Sequence, residues 1–231
     1  ITMITFEKDN NEYSLKINKE NVKNNIIIND LILKNDVFEK YNYKLEIEGE
    51  IIICKDKTKS KNFINKIKEE TYEEYIKIIN NYNIEKDKWI YNIIDKISEE
   101  DKIIYESESI IIIPSYTWDN INIENFHLLT IPKNKKLRTI RDLIKDDIFL
   151  LKEMKDKTEE IINNKYNYND NEIKMYFHYS PSTYHLHMHS CHVKNKEVNS
   201  SVEYSHDIDN IIFNIEMNSE YYKLINLKKR I

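Results

Sequence analysis

The sequence predicts an α+β protein with a mainly antiparallel sheet. Two stretches on either side of residue 180 alternate apolar and polar residues, which is typical of half-buried strands. Short runs of Ile, Leu and Tyr, separated by Asn, Asp and Gly, predict further strands over residues 1 to about 60. Apolar residues at helical spacing predict a long helix from Asp147 to about Asn164. Strands and helices that do not alternate regularly along the chain favour the α+β class.

Composition limits the kinds of partner. The chain has 231 residues, is 40% hydrophobic and 32% charged, and carries a formal net charge of −5, which is typical of a globular protein with one large or two small domains. No apolar run approaches the ~20 residues of a membrane helix, so we expect no membrane partner. Affinity for a long nucleic-acid backbone needs an excess of Lys and Arg side chains. The net negative charge therefore argues against a long nucleic acid as partner. A small anionic ligand, held locally, fits this composition.

Cysteine usage indicates the compartment. Cys54 and Cys191 lie far apart in the sequence and form no CxxC pair, which favours a reducing, intracellular setting. We expect no secretory signal, since the first residues of the sequence do not show its pattern. We therefore expect a cytoplasmic protein, with the nucleus left open.

The first part of the chain predicts a small β-rich domain, residues 1–62, with strands at Glu12–Ile17, Ile26–Leu33 and Lys44–Ile53. Asn35 and Asp36 form a polar turn between two of these runs. Because so short a segment has few residues for an independent core, we expect it to dock on a partner subunit or on the rest of the chain. Helical spacing then predicts a helical hinge over residues 63–82, ahead of a larger domain at 83–231.

The larger domain begins with a short amphipathic helix that carries Trp89. Strands are predicted next, at Lys102–Tyr105, Ser109–Ile113 and Phe126–Ile131. The C-terminal part predicts a strand at Ile208–Ile215 and a terminal helix at Glu220–Leu227.

A histidine-rich hairpin dominates this domain. In the stretch from Tyr184 to Cys191, histidines alternate with large apolar residues, so as a strand it puts His185, His187 and His189 on one face, about 7 Å apart. The preceding strand runs from Ile173 to Tyr179 and is followed by a Ser-Pro-Ser-Thr turn. If Tyr179 pairs with Tyr184 across that turn, His178 joins the same face. Four imidazoles would then converge on one surface.

Imidazoles gathered in this way suit phosphate chemistry. A neutral imidazole can act as a general base, a metal ligand or a nucleophile toward phosphorus. On a pyrophosphate substrate the central histidine attacks, while its neighbours bind the non-bridging and leaving oxygens. The alternative is a zinc site, with Cys191 or His192 as an extra ligand.

The motif also resembles a known family. Residues 185–191 resemble the His-φ-His-φ-His-φ-φ pattern of histidine-triad (HIT) hydrolases, with Ser190 as a polar departure. The segment from Phe177 to His187 resembles the signature of one branch, the scavenger mRNA decapping enzymes. The stretch Trp89–Lys96, with Glu99 ten residues after the tryptophan, is similar to that branch's cap-recognition helix. Asn35-Asp36 and the block 137–143 resemble two further motifs, so the likeness runs from about Leu31 to His206.

The resemblance implies a fold and an activity: a HIT-like catalytic domain preceded by a swapped, dimerising N-terminal domain. The implied substrates are 7-methylguanosine cap dinucleotides and short capped RNA fragments, cleaved without metal or cofactor into 7-methyl-GMP and a nucleoside diphosphate. The implied nucleophile is His187, through a nucleotidyl-histidine intermediate. Implied phosphate contacts are His178, His185, His189 and Ser182. Implied contacts to the cap base are Trp89, Glu99, Asn35, Pro114, Ser115, Tyr116 and Thr117.

Several positions depart from the family pattern. Ser115, Tyr116 and Thr117 stand where the family usually has Asp, Leu and Lys, so a cationic donor to the guanine oxygen is missing. Thr183 replaces an aromatic residue, and Tyr204 replaces an arginine. Two other functions stay open: a HIT hydrolase of dinucleoside polyphosphates or nucleotide phosphoramidates, and, because of the altered loop at 115–117, a cap-binding protein without useful catalysis.

Overall fold

A computed structural model describes residues 67–166, 170–195, 200–202 and 204–230, together with the backbone of five strands between residues 2 and 54. The chain divides into two compact units, residues 1–64 and 65–231. The strands of the first unit are β1 Thr2–Lys8, β2 Asn11–Ile17, β3 Ile27–Lys34, β4 Phe38–Lys44 and β5 Glu48–Cys54. β1 and β2 pair antiparallel, and β3, β4 and β5 form an antiparallel sheet in that order. The predicted β character of this segment is confirmed, whereas its role in dimerisation stays a prediction.

The second unit contains eight further strands and five α-helices among its described residues. In chain order they are β6 Ile67–Glu70, α1 Tyr72–Asn80, α2 Lys88–Ile94, β7 Tyr105–Glu106, β8 Ile110–Pro114, β9 His127–Pro132, α3 Ile148–Lys165, β10 Ile173–His178, β11 Met188–His192, β12 Ser205–Asp207, α4 Ile208–Met217, α5 Tyr221–Leu224 and β13 Leu227–Arg230. None of the helices described is long and apolar enough to cross a membrane.

Six of these strands form the central sheet, in the order β12-β10-β11-β9-β8-β7. All neighbouring strands in this sheet are antiparallel. The predicted α+β class with a mainly antiparallel sheet is therefore confirmed.

The sheet buries apolar side chains on both faces. In β8 the four consecutive isoleucines, residues 110–113, are all at most 1% exposed, because successive side chains of a strand point to opposite faces. Ile110 and Ile112 pack in the larger apolar cluster with residues of α3 and α4, such as Met154 and Ile211. Ile111 and Ile113 pack in a smaller cluster with Ile90 and Ile93 of α2. Helices therefore cover both sides of the sheet, and α2 lies on the side of the second cluster.

The beginning and end of the second unit are joined by a separate two-stranded sheet. β6 pairs antiparallel with β13, so the predicted helix over residues 63–82 is wrong at Ile67–Glu70, and the helix α1 begins only at Tyr72. Thr71 caps α1: its hydroxyl accepts from the backbone N–H of Glu74, and the Glu74 carboxylate accepts in return from the backbone N–H of Thr71. The cap sets the boundary between strand and helix.

The last part of the chain contradicts two predictions. Ile208–Ile215 is helical, not a strand, because Ile208, Ile211, Ile212 and Ile215 share one helical face and are buried. Asp207 begins this helix as its N-cap, accepting from two backbone N–H groups. The predicted terminal helix Glu220–Leu227 is only the short α5, since Leu227 already belongs to β13.

Candidate active site

The segment before β11 is held by bonds to three distant parts of the unit. The backbone N–H of Tyr184 donates to the buried carboxylate of Asp87 at 3.0 Å. The backbone N–H of Leu186 donates to the carbonyl of Leu137 at 2.9 Å. His185 Nε2 lies 2.7 Å from the carbonyl oxygen of Pro132 and, since a carbonyl only accepts, donates to it. These bonds place the next residue, His187, at the entry to β11.

The same segment orients the His187 ring. His187 Nδ1 lies 2.7 Å from the carbonyl oxygen of His185. Because that oxygen can only accept, Nδ1 carries the proton and Nε2 carries the lone pair. A neutral imidazole with a bare Nε2 is in the form that a nucleophile requires.

The rings of His178, His187 and His189 lie close together. The ring centroids of His187 and His189 are 4.9 Å apart, and those of His178 and His189 are 4.1 Å apart. Tyr176 stacks on His189, with the two ring centroids 5.6 Å apart. The predicted convergence of His178, His187 and His189 is therefore present.

The predicted hairpin register is wrong by two residues. Pairing Tyr179 with Tyr184 would set Tyr176 opposite His187, whereas in the structure Tyr176 lies opposite His189 and β11 begins at Met188. Tyr179 donates its backbone N–H to the carbonyl of Tyr204 instead. A shift of two residues keeps each side chain on its face, which is why the convergence survives the change in register.

His185 lies apart from the three rings. Its side chain is 0% exposed and its ring packs edge-on against Tyr91, with centroids 5.5 Å apart. Its backbone carbonyl is the group that orients His187. The contact to phosphate that the resemblance implies for His185 stays a prediction.

His127 is a site residue that the sequence analysis missed. Its Nε2 lies 2.9 Å from His189 Nδ1, and its side chain is buried. His127 opens β9, and β9 pairs with β11 in a register that sets Leu129 opposite His189. The two histidines are 62 residues apart in the chain, so no local pattern signalled their contact.

Burial keeps these imidazoles neutral. Burial lowers the pKa of His127 to about 3 and that of His185 to about 4. Burial also lowers the pKa of His187, against the opposing effect of the bond to the His185 carbonyl, and holds the pKa of His189 well below its usual range. Near pH 7 each ring therefore has one N–H and one lone pair.

The free energy of unfolding is expected to decrease as the pH falls from 7 to 5. In the unfolded chain His127 and His185 have a pKa near 6.5, above their folded values of about 3 and about 4. Their contribution is fully present above pH 6.5 and is lost as protons bind to the unfolded chain, from pH 6.5 down to about 4 for His185 and about 3 for His127. The loss is roughly 1–2 kcal/mol for each histidine at pH 5. Urea unfolding at several pH values measures the slope. His185→Gln should make it shallower, and equal slopes in the two proteins would contradict the assignment.

Trp89 lies beside the histidines. Its ring is 6.5 Å from that of His187 in an edge arrangement, and its indole Nε1 donates to Thr183 Oγ1 at 3.2 Å. Trp89 of α2 is half-buried against the second apolar cluster, whose members Ile90 and Ile93 are fully buried. The predicted base-stacking residue and the predicted nucleophile are therefore neighbours.

The other predicted site residues lie in several separate segments of the chain. Glu99 follows α2 in a left-handed conformation, with φ of 57°, and pairs with Lys102 at 3.4 Å. Pro114 ends β8, and Tyr116 in the next loop is 43% exposed. Ser182 is exposed in the turn before Tyr184. The predicted contact at Asn35 lies outside the described residues.

Ser115 and Thr117, also predicted to contact the base, bond toward the histidines. Ser115 Oγ lies 3.0 Å from Thr117 Oγ1, which in turn lies 3.0 Å from His127 Nδ1. For the zinc alternative, the part of the chain that the structure describes contains no group of three or more His, Cys, Asp or Glu side chains arranged to hold a metal ion.

Comparison with known proteins gives the family. Residues 88–204 match the family model described as scavenger mRNA decapping enzyme C-term binding. The chain is 34% identical to the m7GpppX diphosphatase of Caenorhabditis elegans over 209 residues, covering 83% of this chain and 67% of that protein. It is 32% identical to the m7GpppX diphosphatase of Ascaris suum over 207 residues, covering 83% and 69%.

Among solved structures, the match to "Hnt3 in complex with DNA and guanosine" covers 59% of this chain and 80% of that chain, with 16% identity and a TM-score of 0.42. This TM-score is too low for the match to support a conclusion. The family model and the two nematode relatives agree with each other and with the motif around His187. The chain therefore belongs to the scavenger mRNA decapping enzyme family.

Proposed function

We propose that this protein hydrolyses the 5′–5′ triphosphate bridge of 7-methylguanosine cap dinucleotides and short capped RNA fragments. Membership of the decapping family and the names of the nematode relatives support this function. The observation that carries it is the state of His187, whose Nδ1 proton is held by a carbonyl 2.7 Å away so that Nε2 is free of a proton.

The proposed reaction has two displacements at one phosphorus. His187 Nε2 attacks the phosphate nearest the methylated nucleoside, forming a P–N bond, and the P–O bond to the leaving nucleoside diphosphate breaks. Water then attacks the same phosphorus, releasing 7-methyl-GMP and restoring the imidazole. His178 and His189, whose rings are 4.1 Å apart beside the nucleophile, bind the non-bridging oxygens as negative charge develops.

In the proposed complex Trp89 stacks on the methylated guanine. The positive charge of that base strengthens its attraction to an aromatic face. The 6.5 Å between the rings of Trp89 and His187 matches a base bound close to the phosphate that is attacked. Glu99 accepts hydrogen bonds from the guanine edge in this proposal.

Product analysis tests the function. The protein is incubated with methylated cap dinucleotide in the presence of a chelator and in ¹⁸O-labelled water. The proposal expects 7-methyl-GMP that carries the label, with unlabelled nucleoside diphosphate, because water attacks the phosphorus bonded to His187. A quench in alkali, which preserves P–N bonds, should show a protein mass raised by one methylguanylate.

The rival functions give other results in the same assay. Equal rates on methylated and unmethylated dinucleotides would favour a HIT hydrolase of dinucleoside polyphosphates. Saturable binding without any products would favour a cap-binding protein. Label in the nucleoside diphosphate would contradict the proposed site of attack.

A homodimer and a cytoplasmic location are part of the proposal. The dimer is supported by the family resemblance and by the small size of the β-rich segment 1–62, and light scattering of the purified full chain tests it. The location is supported by the well-separated cysteines, of which Cys191 is a buried free thiol. Imaging of the tagged full-length protein tests the location.

A further inference from the structure

The loop that follows β8 makes an ordered set of bonds toward β9. The backbone N–H of Ser115 donates to the carbonyl of His127 at 2.9 Å, and Ser115 is 4% exposed. The backbone N–H of Thr117 donates to Ser115 Oγ at 3.4 Å, and the two hydroxyls are 3.0 Å apart. The loop is therefore tied to the strand that carries His127.

The bonds continue as a single line of side chains. Thr117 Oγ1 lies 3.0 Å from His127 Nδ1, and His127 Nε2 lies 2.9 Å from His189 Nδ1. His127 is 4% exposed and His189 is 8% exposed, so water has little access to these two rings. We call the four residues Ser115, Thr117, His127 and His189 the relay.

The relay has a preferred polarity. If Ser115 donates to Thr117, Thr117 can donate to His127 Nδ1, and His127 Nε2–H can donate to His189 Nδ1. Every hydroxyl proton then has an acceptor. In the reverse direction Ser115 Oγ accepts twice, and its own proton has no acceptor among the bonds of the described residues. A buried hydroxyl without an acceptor costs free energy, so the first direction is favoured.

This polarity decides which nitrogen of His189 carries the proton. With His189 Nδ1 accepting, its single proton must lie on Nε2, since burial keeps both histidines neutral. His189 Nε2 is buried and has no hydrogen-bond partner in the part of the chain that the structure describes. The His189 ring is also 4.9 Å from that of the nucleophile His187.

We propose that Thr117, acting through His127, is a positioning residue that holds His189 in the Nε2–H tautomer, ready to donate to a non-bridging phosphate oxygen. Ser115 sets the direction of the relay. The loop that carries Ser115 and Thr117 therefore orients a group that binds phosphate, and does not contact the cap base. This inference rests on the proposed function for its substrate, whereas the tautomer itself is a property of the free protein.

The variants are chosen to distinguish the effect of the Thr117 hydroxyl from the effect of the size and shape of the side chain. Thr117→Val keeps the shape and removes the hydroxyl, and Thr117→Ser keeps the hydroxyl. Thr130→Val is the matched control, because Thr130 is a buried threonine of the same strand β9 whose hydroxyl bonds to Thr158 Oγ1 of α3 at 2.8 Å and not to a residue of the relay. Thr117→Ala removes the same hydroxyl and replaces the valine variant if that one does not fold.

The first measurement is the tautomer of His189 in free protein, by ¹⁵N NMR of histidine-labelled full chain, with His189→Gln for assignment. The proposal expects the Nε2–H form in the original protein, in Thr117→Ser and in Thr130→Val, and a mixture of tautomers in Thr117→Val. An Nδ1–H form in the original protein, or an unchanged tautomer in Thr117→Val, overturns the proposal whether or not the protein cleaves caps.

The second measurement separates positioning from base binding. With methylated and unmethylated dinucleotides, Thr117→Val should lower kcat about tenfold on both, with KM and the methyl preference unchanged, since the hydrogen bond to His127 that fixes the His189 tautomer is lost. Thr117→Ser should restore kcat. A rise in KM confined to the methylated dinucleotide, with kcat unchanged, would make Thr117 a base contact and overturn the proposal.

Discussion

Replacing His187 with asparagine is expected to abolish turnover of the methylated cap dinucleotide while leaving its binding nearly intact. The asparagine amide can still donate to the His185 carbonyl, as Nδ1 does at 2.7 Å, but it has no atom equivalent to the Nε2 lone pair. Loss of a nucleophile should lower kcat by about 10³-fold or more. Single-turnover kinetics and equilibrium titration with the same dinucleotide measure the two effects separately.

A matched histidine tests whether the loss is specific. His206 of β12 is half-buried and its ring packs near those of Tyr179 and Tyr222. Neither tyrosine belongs to the group of rings formed by His178, His187 and His189. His206→Asn should therefore keep kcat within about threefold of the original, as expected for a substitution that does not touch the reacting groups. Normal turnover by His187→Asn would refute the nucleophile, and equal losses in both variants would indicate a general loss of structure.

Replacing Trp89 with alanine is expected to weaken binding of the methylated dinucleotide. Stacking of one base on an aromatic side chain contributes roughly 1–3 kcal/mol, so KM should rise about 5- to 150-fold. We expect this effect because Trp89 lies beside His187, where the bond from its Nε1 to Thr183 holds it. Steady-state kinetics on the methylated and unmethylated dinucleotides measure the effect.

The unmethylated dinucleotide is the control for Trp89. Its guanine is neutral, so it gains less from the aromatic face, and Trp89→Ala should narrow the difference between the two substrates. Trp89→Phe keeps an aromatic face and should recover part of the affinity. A variant that loses kcat on both substrates, with KM unchanged, would instead make Trp89 a support for His187.

Local patterns predicted some elements well. The alternation from Ile173 to His178 predicted β10, and helical spacing after Asp147 predicted α3, because each element buries its own regular face. The same rule accounts for α4, whose isoleucines at 208, 211, 212 and 215 follow helical spacing behind an aspartate cap. β-branched residues favour a strand by propensity, but burial of one helical face outweighs that preference in α4.

Other features had no local signal. The strand β6 exists because Leu227 and its neighbours pair with it from the far end of the chain. The irregular entry to β11 depends on Asp87 and Leu137, which accept backbone bonds that a regular hairpin would have used. Partners so distant cannot be read from the spacing of residues within either segment.

The α+β class, the histidine motif and the place of Trp89 at the start of a helix all followed from the order of residues along the chain. Which imidazoles meet depended on the folded arrangement, which brought in His127 and set His185 apart. Folding also turned the hydroxyls of Ser115 and Thr117 toward the histidines. This division arises because side-chain alternation fixes a face along one strand, whereas the partners across strands depend on register and on burial that arise only when distant segments pack together.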